Sequence, residues 1–176
     1  MNNVARVRRL REGGHTQRAH SIPHHGSYDV AAHSWHLVTL LYVLHPRPSF
    51  QLLYAAQFHD VAERWCGDIP AIAKWSSPIL KSESDRLENH VLNELGVLTI
   101  LQGEDEMWLR ACDLLELHLW CLDQINTGNR CVTITLENIH YWFDANKAKV
   151  PKPVMDFFLS YSWERSSDRT LLGAPE

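Results

Sequence analysis

The stretch Tyr54-Ala-Ala-Gln-Phe-His-Asp-Val-Ala-Glu-Arg-Trp-Cys-Gly-Asp-Ile-Pro70 limits this chain more than any other. Tyr54, Ala55 and Phe58 have the spacing of one buried helix face, and His59 and Asp60 follow directly from it. Polar groups left unpaired in such packing are costly, so the pair needs a partner. An imidazole beside a carboxylate, with no thiolate, suits a divalent cation. Glu63 comes four positions after His59 and, on a helix running to about Glu63, lies one turn on along the same face. Asp68 follows Gly67 and precedes Ile69-Pro70, a turn opening a new helix. Each carboxylate also has a plainer reading: Glu63 as a surface group pairing Arg64 or a lysine, Asp68 as the N-cap of the next helix.

At 176 residues and 20.3 kDa the chain is long enough for one substantial core. A single domain over residues 1–165 is expected, with 166–176 as a flexible tail. With 45% hydrophobic and 22% charged residues the composition is that of a soluble globular protein, and no apolar run approaches the roughly 20 residues of a membrane span. Met1-Asn2-Asn3-Val4 leads into arginines rather than an apolar leader, so a cytoplasmic location is expected, the host cytoplasm if the chain is phage-encoded. A net charge of -4 argues against a nucleic-acid partner. The four cysteines, Cys66, Cys112, Cys121 and Cys131, lack any C-x-x-C spacing and read as reduced, buried small hydrophobes.

The chain reads as all-α, a compact helical bundle. A short helix over 3–12 is closed by Gly13-Gly14, and 13–29 is a loop rich in His, Pro, Gly and Ser. Val30, Ala31, Ser34, Trp35, Val38, Leu41 and Tyr42 recur at three and four, which predicts a helix from Val30 to His45, before Pro46. Further helices are predicted at about 50–63, 69–75, 78–95, 105–125, 136–147 and 154–162. Only Val132-Thr-Ile-Thr135 has strand chemistry, and either threonine serves equally well as an N-cap.

His33 lies inside the helix from Val30, where a lone histidine reads as a core residue unless other ligands meet it. Asp113 sits among Cys112, Leu114, Leu115 and Leu117, so it either closes a hydrogen-bond network or ligates a metal. The order His33, His59-Asp60, Asp113 resembles the H…HD…D pattern of the HD-domain phosphohydrolases. Within them it is similar to the YfbR-like 5'-deoxynucleotidases and the phage dATP triphosphohydrolases. The resemblance covers roughly residues 15–130. Val30-Ala-Ala-His-Ser34 is similar to the family's V-A-E-H-S, and Phe58 to Lys74 to its HD-x-x-E-x-x-x-GD-x-P-x-x-x-K. Ala111-Cys-Asp-Leu-Leu115 matches A-D-x-L in position, and Ile125-Asn-Thr-Gly-Asn129 the A-G-N that closes the same helix.

The resemblance implies a compact HD domain in which His33, His59, Asp60 and Asp113 hold one divalent ion: cobalt, manganese or zinc, with magnesium as a further option. Glu63 is then expected to orient or deprotonate the attacking water, and Asp68 to position it or assist the leaving 5'-oxygen. Arg18, fifteen residues before His33, stands where the family keeps its phosphate-binding arginine, whose guanidinium forms paired hydrogen bonds to phosphate. Two positions depart from the family. Ala19 replaces an aromatic associated with packing on the sugar, leaving His20 or Ile22 to fill the gap, and Ala32 replaces a glutamate before the metal histidine.

Lys74 could reach a phosphate or be a solvated helix end. Lys81, Arg6, Arg8, Arg9 and Arg11 are further cationic candidates if the substrate carries more than one phosphate, Lys81 foremost as a substrate contact, though most of them are expected to face solvent. Of His20, His24 and His25, one is expected to touch substrate. Trp35, Trp108, Trp120 and Trp142 sit at core spacings, while Trp65 and Trp75 flank the site as expected pocket walls.

The expected activity is hydrolysis of a deoxynucleotide at its α-phosphorus, dATP giving deoxyadenosine and triphosphate, with dADP and dAMP also cleaved. A monophosphate-restricted 5'-deoxynucleotidase is the first alternative, a non-catalytic nucleotide- or metal-binding module the second. Action on cyclic or nucleic-acid phosphodiesters fits an acidic chain less well. The family also implies a homo-oligomer, dimeric or larger.

Overall fold

The computed structural model describes residues 1–160; the tail expected over 166–176 lies outside them, as do the side chains of Ala71, Ile72 and Trp75. The regular elements of the described residues are all helices: α1 (Asn3–Gly13), α2 (Val30–Leu44), α3 (Phe50–Phe58), α4 (Glu63–Cys66), α5 (Ala71–Ser76), α6 (Pro78–Glu94), α7 (Glu104–Asn126), α8 (Thr133–Asn146) and α9 (Lys152–Ser160). They contain no strand, only an isolated bridge between Gln17 and Asp29 that draws the ends of the 15–29 loop together. No described helix is long and apolar enough to cross a membrane.

Local chemistry explains most helix starts. Asn2, Asp29, Ser49 and Ser77 each accept a hydrogen bond from a backbone N–H of the first turn, satisfying donors the helix itself leaves free. The long α7 instead gathers Glu104, Asp105 and Glu106 in its first turn, where the helix dipole favours negative charge. Asp105 also accepts from the Ser49 hydroxyl at 2.8 Å, pinning the start of α3 to the start of α7.

The core is built around α7. Leu115, Ala111, Cys112 and Cys121 are fully buried with Leu37 and Leu41 of α2, Leu52 and Ala56 of α3, Phe143 of α8 and Val154 of α9. Each buried leucine or phenylalanine contributes about 1.5–3 kcal/mol relative to exposure. A smaller cluster of Val61, Ala62, Leu92, Leu95 and Val97 locks the turn after α3 to the end of α6.

Three expectations about the elements are corrected. The helix carrying His59 does not run to Glu63: α3 stops at Phe58, and Val61 and Glu63 donate to the carbonyls three residues back. That tighter winding breaks the register on which Glu63 was placed. The buried face of α2 is Val30, His33, Ser34, Leu37 and Leu41, whereas Trp35 and Tyr42 are 70% and 64% exposed. α2 is apolar nearly all the way round, so spacing alone could not choose between two adjacent stripes. Val132-Thr-Ile-Thr135 is neither strand nor threonine cap, since α8 starts at Thr133 behind Val132, with no side-chain cap.

Gly13 does more than end a helix. A Cβ there would stand 2.0 Å from Val61 Cγ2 and 2.9 Å from the Val61 carbonyl oxygen, so glycine lets α1 press directly on the turn that carries His59 and Asp60.

Candidate metal centre

His33 enters the site from the first turn of α2, held there by the Asp29 cap. His59 and Asp60 come from the tightened turn after α3, and Asp113 from the middle of α7. One ligand atom from each lies within 4.8 Å of all the others, so this group could hold a metal ion. His33 Nε2 is 3.1 Å from Asp113 Oδ1 and 3.4 Å from Asp60 Oδ2; His59 Nε2 is 3.1 Å from Asp60 Oδ2 and 3.9 Å from Asp113 Oδ1. Ligands about 2.1 Å from one ion stand about 3.0–3.4 Å apart in octahedral or tetrahedral arrangements, so the quartet has the right dimensions. Both imidazole Nε2 atoms are buried without a hydrogen-bond donor or acceptor partner, which is the condition a bound cation relieves.

Glu116, which the sequence reading missed, fixes His33. Its Oε2 accepts from His33 Nδ1 at 2.5 Å and from the Tyr28 hydroxyl at 2.5 Å, and its Oε1 lies 3.2 Å from His36 Nδ1. With the proton on Nδ1, the Nε2 lone pair is turned toward the cluster. The available signal for Glu116 was its place three residues after Asp113, one helical turn along, in an otherwise apolar run. His59 is oriented likewise, by Nδ1 against the Ala56 carbonyl at 3.1 Å.

The charges follow. Burial disfavours ionised Asp113, yet its contacts with His33 and His59 outweigh this and hold its carboxyl well below the usual range. For His33, burial and Arg18 act downward, but Asp113 and Glu116 prevail and its pKa rises. His59 shifts down because burial dominates, which favours the neutral imidazole a metal needs.

Arg18 reaches into the same cluster. Its guanidinium pairs with Asp60, stands 3.7 Å from Glu63 Oε1 and 4.0 Å from Asp113 Oδ1, and lies over the Tyr28 ring. Glu63 therefore faces Arg18 rather than Arg64, and its Oε2 is buried without a partner. Burial, opposed by Arg18, pushes its carboxyl up to about 7. Asp68 is not a helix cap: α5 begins at Ala71 behind Pro70 with no side-chain cap. Instead Asp68 Oδ2 accepts from the Ala19 N–H at 2.9 Å and lies 3.4 Å from His20 Nδ1. Ala19 has φ +52, a left-handed conformation unusual for alanine, so Asp68 holds a strained bend beside Arg18.

A cavity of about 710 Å³ opens on this cluster, lined by Arg18, Ile22, His59, Asp60, Glu63, Asp68, Lys74 and Asp113, and continuing between α7 and α8. Ile22 is part of that lining. Lys74 lines the cavity but pairs with Glu88 at 2.9 Å, and exposed Lys81, itself outside the lining, pairs with Asp85 at the cavity's edge. His20 reaches Asp68 but is not part of the lining. His24 and His25 hold loop structure, through the Ile22 carbonyl and Gln124 respectively. Arg6 is not free in solvent but donates to the Gly96 carbonyl at 2.6 Å. Trp65 is half-exposed and outside the lining, whereas Trp142 forms part of the wall. Cys131 is exposed at the cavity rather than buried.

Asn129 closes α7 and ties down the histidine-rich loop by donating to the Pro23 carbonyl, while Gln124 bonds the backbone of His25 in both directions. No protein-family model matches the chain, and no curated protein matches it either.

Proposed function

We propose that this chain is a metal-dependent phosphohydrolase acting on the 5' phosphoester of 2'-deoxynucleotides, with dATP as the leading substrate and deoxyadenosine and triphosphate as products. The observation that carries the reading is the convergence of two orphaned imidazole nitrogens and two carboxylates beside Glu63 at the mouth of a nucleotide-sized cavity. His33, His59, Asp60 and Asp113 would hold one divalent ion, with cobalt, manganese or zinc preferred and magnesium also accepted. Such an ion polarises a phosphoryl oxygen and acidifies water.

The chain's own groups do the rest. Glu63, with a carboxyl pushed up to about 7, takes the proton of the attacking water. The water oxygen joins the α-phosphorus as the bond to the 5'-oxygen breaks, and that oxygen leaves as a hydroxyl with a proton from solvent, the one taken by Glu63 returning to solvent to close the cycle. Arg18 turns its fork from the carboxylates to the phosphate, and Asp68 keeps the Arg18-Ala19 bend in place. Both roles sit more naturally in an enzyme than in a module that only binds.

Restriction to monophosphates is the second reading. It is favoured by the pairing of Lys74 with Glu88 and of Lys81 with Asp85, which takes up two cations expected for the outer phosphates. Self-association is supported by Trp35, Tyr42 and Val43, exposed apolar side chains along one side of α2.

Chromatography of products from dAMP, dADP and dATP with added cobalt or manganese tests the proposal. Triphosphate and deoxyadenosine from dATP are expected, with Glu63→Gln slowing kcat by roughly 10²–10⁴-fold at unchanged metal affinity. Turnover of dAMP alone selects the second reading, and no turnover of any deoxynucleotide overturns both.

A further inference from the structure

The cavity does not end at the ligand quartet. Leu117 is one turn beyond Asp113 on α7, about 6 Å along the axis, so the groove leads away from the cluster between α7 and α8. Its walls there are largely apolar, with Leu114 and Leu117 on one side and Ile139 and Trp142 on the other, while Arg110 covers one face of the Trp142 ring at 5.6 Å and Glu106 lines the same cavity. Two polar side chains of α8 line the same space, Thr135 and Asn138, spaced three apart on one helix face. Neither side chain makes a hydrogen bond with another described residue. They are part-buried polar groups without an internal task.

We propose that the α7–α8 groove binds the base of the substrate, with Asn138 as the residue that reads its edge and selects adenine. This rests on the deoxynucleotide reading above and adds the specificity determinant. An alkyl chain in the groove would strip water from Thr135 and Asn138 and return no hydrogen bond. A heteroaromatic ring instead lays its faces on the leucines and Trp142 and turns its polar edge to α8. A carboxamide carries a donor beside an acceptor, the complement of adenine's amino group and adjacent ring nitrogen. Thymine presents a carbonyl and a methyl on the corresponding edge and leaves one of these groups unmatched. The phosphate end then lies at His33, His59, Asp60 and Asp113, and the sugar spans the turn from Asp113 to Leu117.

Calorimetric titration of the full chain with deoxyadenosine, deoxyguanosine, deoxycytidine and thymidine tests this without any chemistry at phosphorus. Deoxyadenosine is expected to bind roughly tenfold or more tightly than thymidine. Asn138→Leu should bring that ratio to threefold or less while leaving manganese affinity and the melting temperature unchanged. Thr135→Val, a nearly isosteric change, should weaken all four nucleosides together and serves if Asn138→Leu folds poorly. An unchanged adenine preference in Asn138→Leu, no nucleoside binding at millimolar concentration, or tighter binding of dodecyl phosphate than of deoxyadenosine would each overturn the assignment. Selective nucleoside binding without hydrolysis of any phosphoester supports the groove while removing the hydrolase reading. Hydrolysis of all four deoxynucleotides with no effect of Asn138→Leu does the reverse.

Discussion

Glu116→Gln isolates the contact that aims His33. The change keeps the shape of a side chain that is only 2% exposed, so no cavity is opened. It replaces a carboxylate facing three potential donors, Tyr28 Oη, His33 Nδ1 and His36 Nδ1, with one acceptor oxygen and one NH2 group. Even with the NH2 turned to His36 Nδ1, which accepts in its other tautomer, Tyr28 and His33 exchange a charged acceptor for a neutral one. Hydrogen bonds to a charged group contribute about 1.5–3 kcal/mol each, so the metal-free protein should lose about 2–3 kcal/mol and about 4–12 °C of Tm. The larger consequence falls on the ion. Loss of a carboxylate behind a ligating histidine costs about 10–100-fold in metal affinity, or about 1.4–2.7 kcal/mol. Chelator-competition titration of manganese or cobalt into wild type, Glu116→Gln and His33→Ala reads this directly, with circular dichroism to confirm the fold. A Glu116→Gln affinity within twofold of wild type, beside a large loss in His33→Ala, would show that Glu116 does not orient the ligand.

Three further outcomes follow from other parts of the fold. His118 is buried with both ring nitrogens unpartnered, and burial together with nearby His140 brings its pKa down to about 4. The unfolded chain, with a histidine near 6.5, binds the proton first, so stability is intact above about pH 6.5 and falls toward pH 4, by at most about 3 kcal/mol. Urea unfolding at pH 8 and pH 4.5 should therefore show His118→Leu gaining on wild type only at the lower pH; an equal difference at both refutes the account. Gly13→Ala should cost about 1–3 kcal/mol, because the new methyl meets both the side chain and the carbonyl of Val61, and it should weaken manganese binding in parallel by displacing Asp60. Thermal melts and metal titration on the same protein check both. Lys81→Ala should leave kcat and KM for dATP within twofold, since the exposed lysine pairs with Asp85 on α6, and a tenfold rise in KM would show that it reaches the outer phosphates.

Much of the candidate site was legible along the chain because its chemistry is written in residue type and order. His33, His59, Asp60 and Asp113 are polar groups embedded in apolar helical runs, and burial makes such groups conspicuous whatever the packing. The all-α class was legible too, from small and apolar residues repeating at three and four, such as Val30, Ser34, Val38 and Leu41, and from breakers such as Gly13-Gly14 and Pro46. What failed was anything that depended on angles between helices. Glu116 and Asn138 read as ordinary helix residues, and Thr135 as strand or cap, until α2, α7 and α8 are brought together. Lys81 stood as a candidate contact for an outer phosphate because nothing local shows which way α6 turns.

The sequence alone thus determined which atoms were available to a cation and where α1, α2, α3 and α6 would begin, since both depend on interactions within a turn or two of the chain. Only the tertiary structure decided that α3 tightens at His59, that His33 and not Trp35 faces inward, and which carboxylate backs that histidine. Those outcomes depend on contacts between residues up to 88 positions apart, such as Tyr28 and Glu116, which no local periodicity encodes.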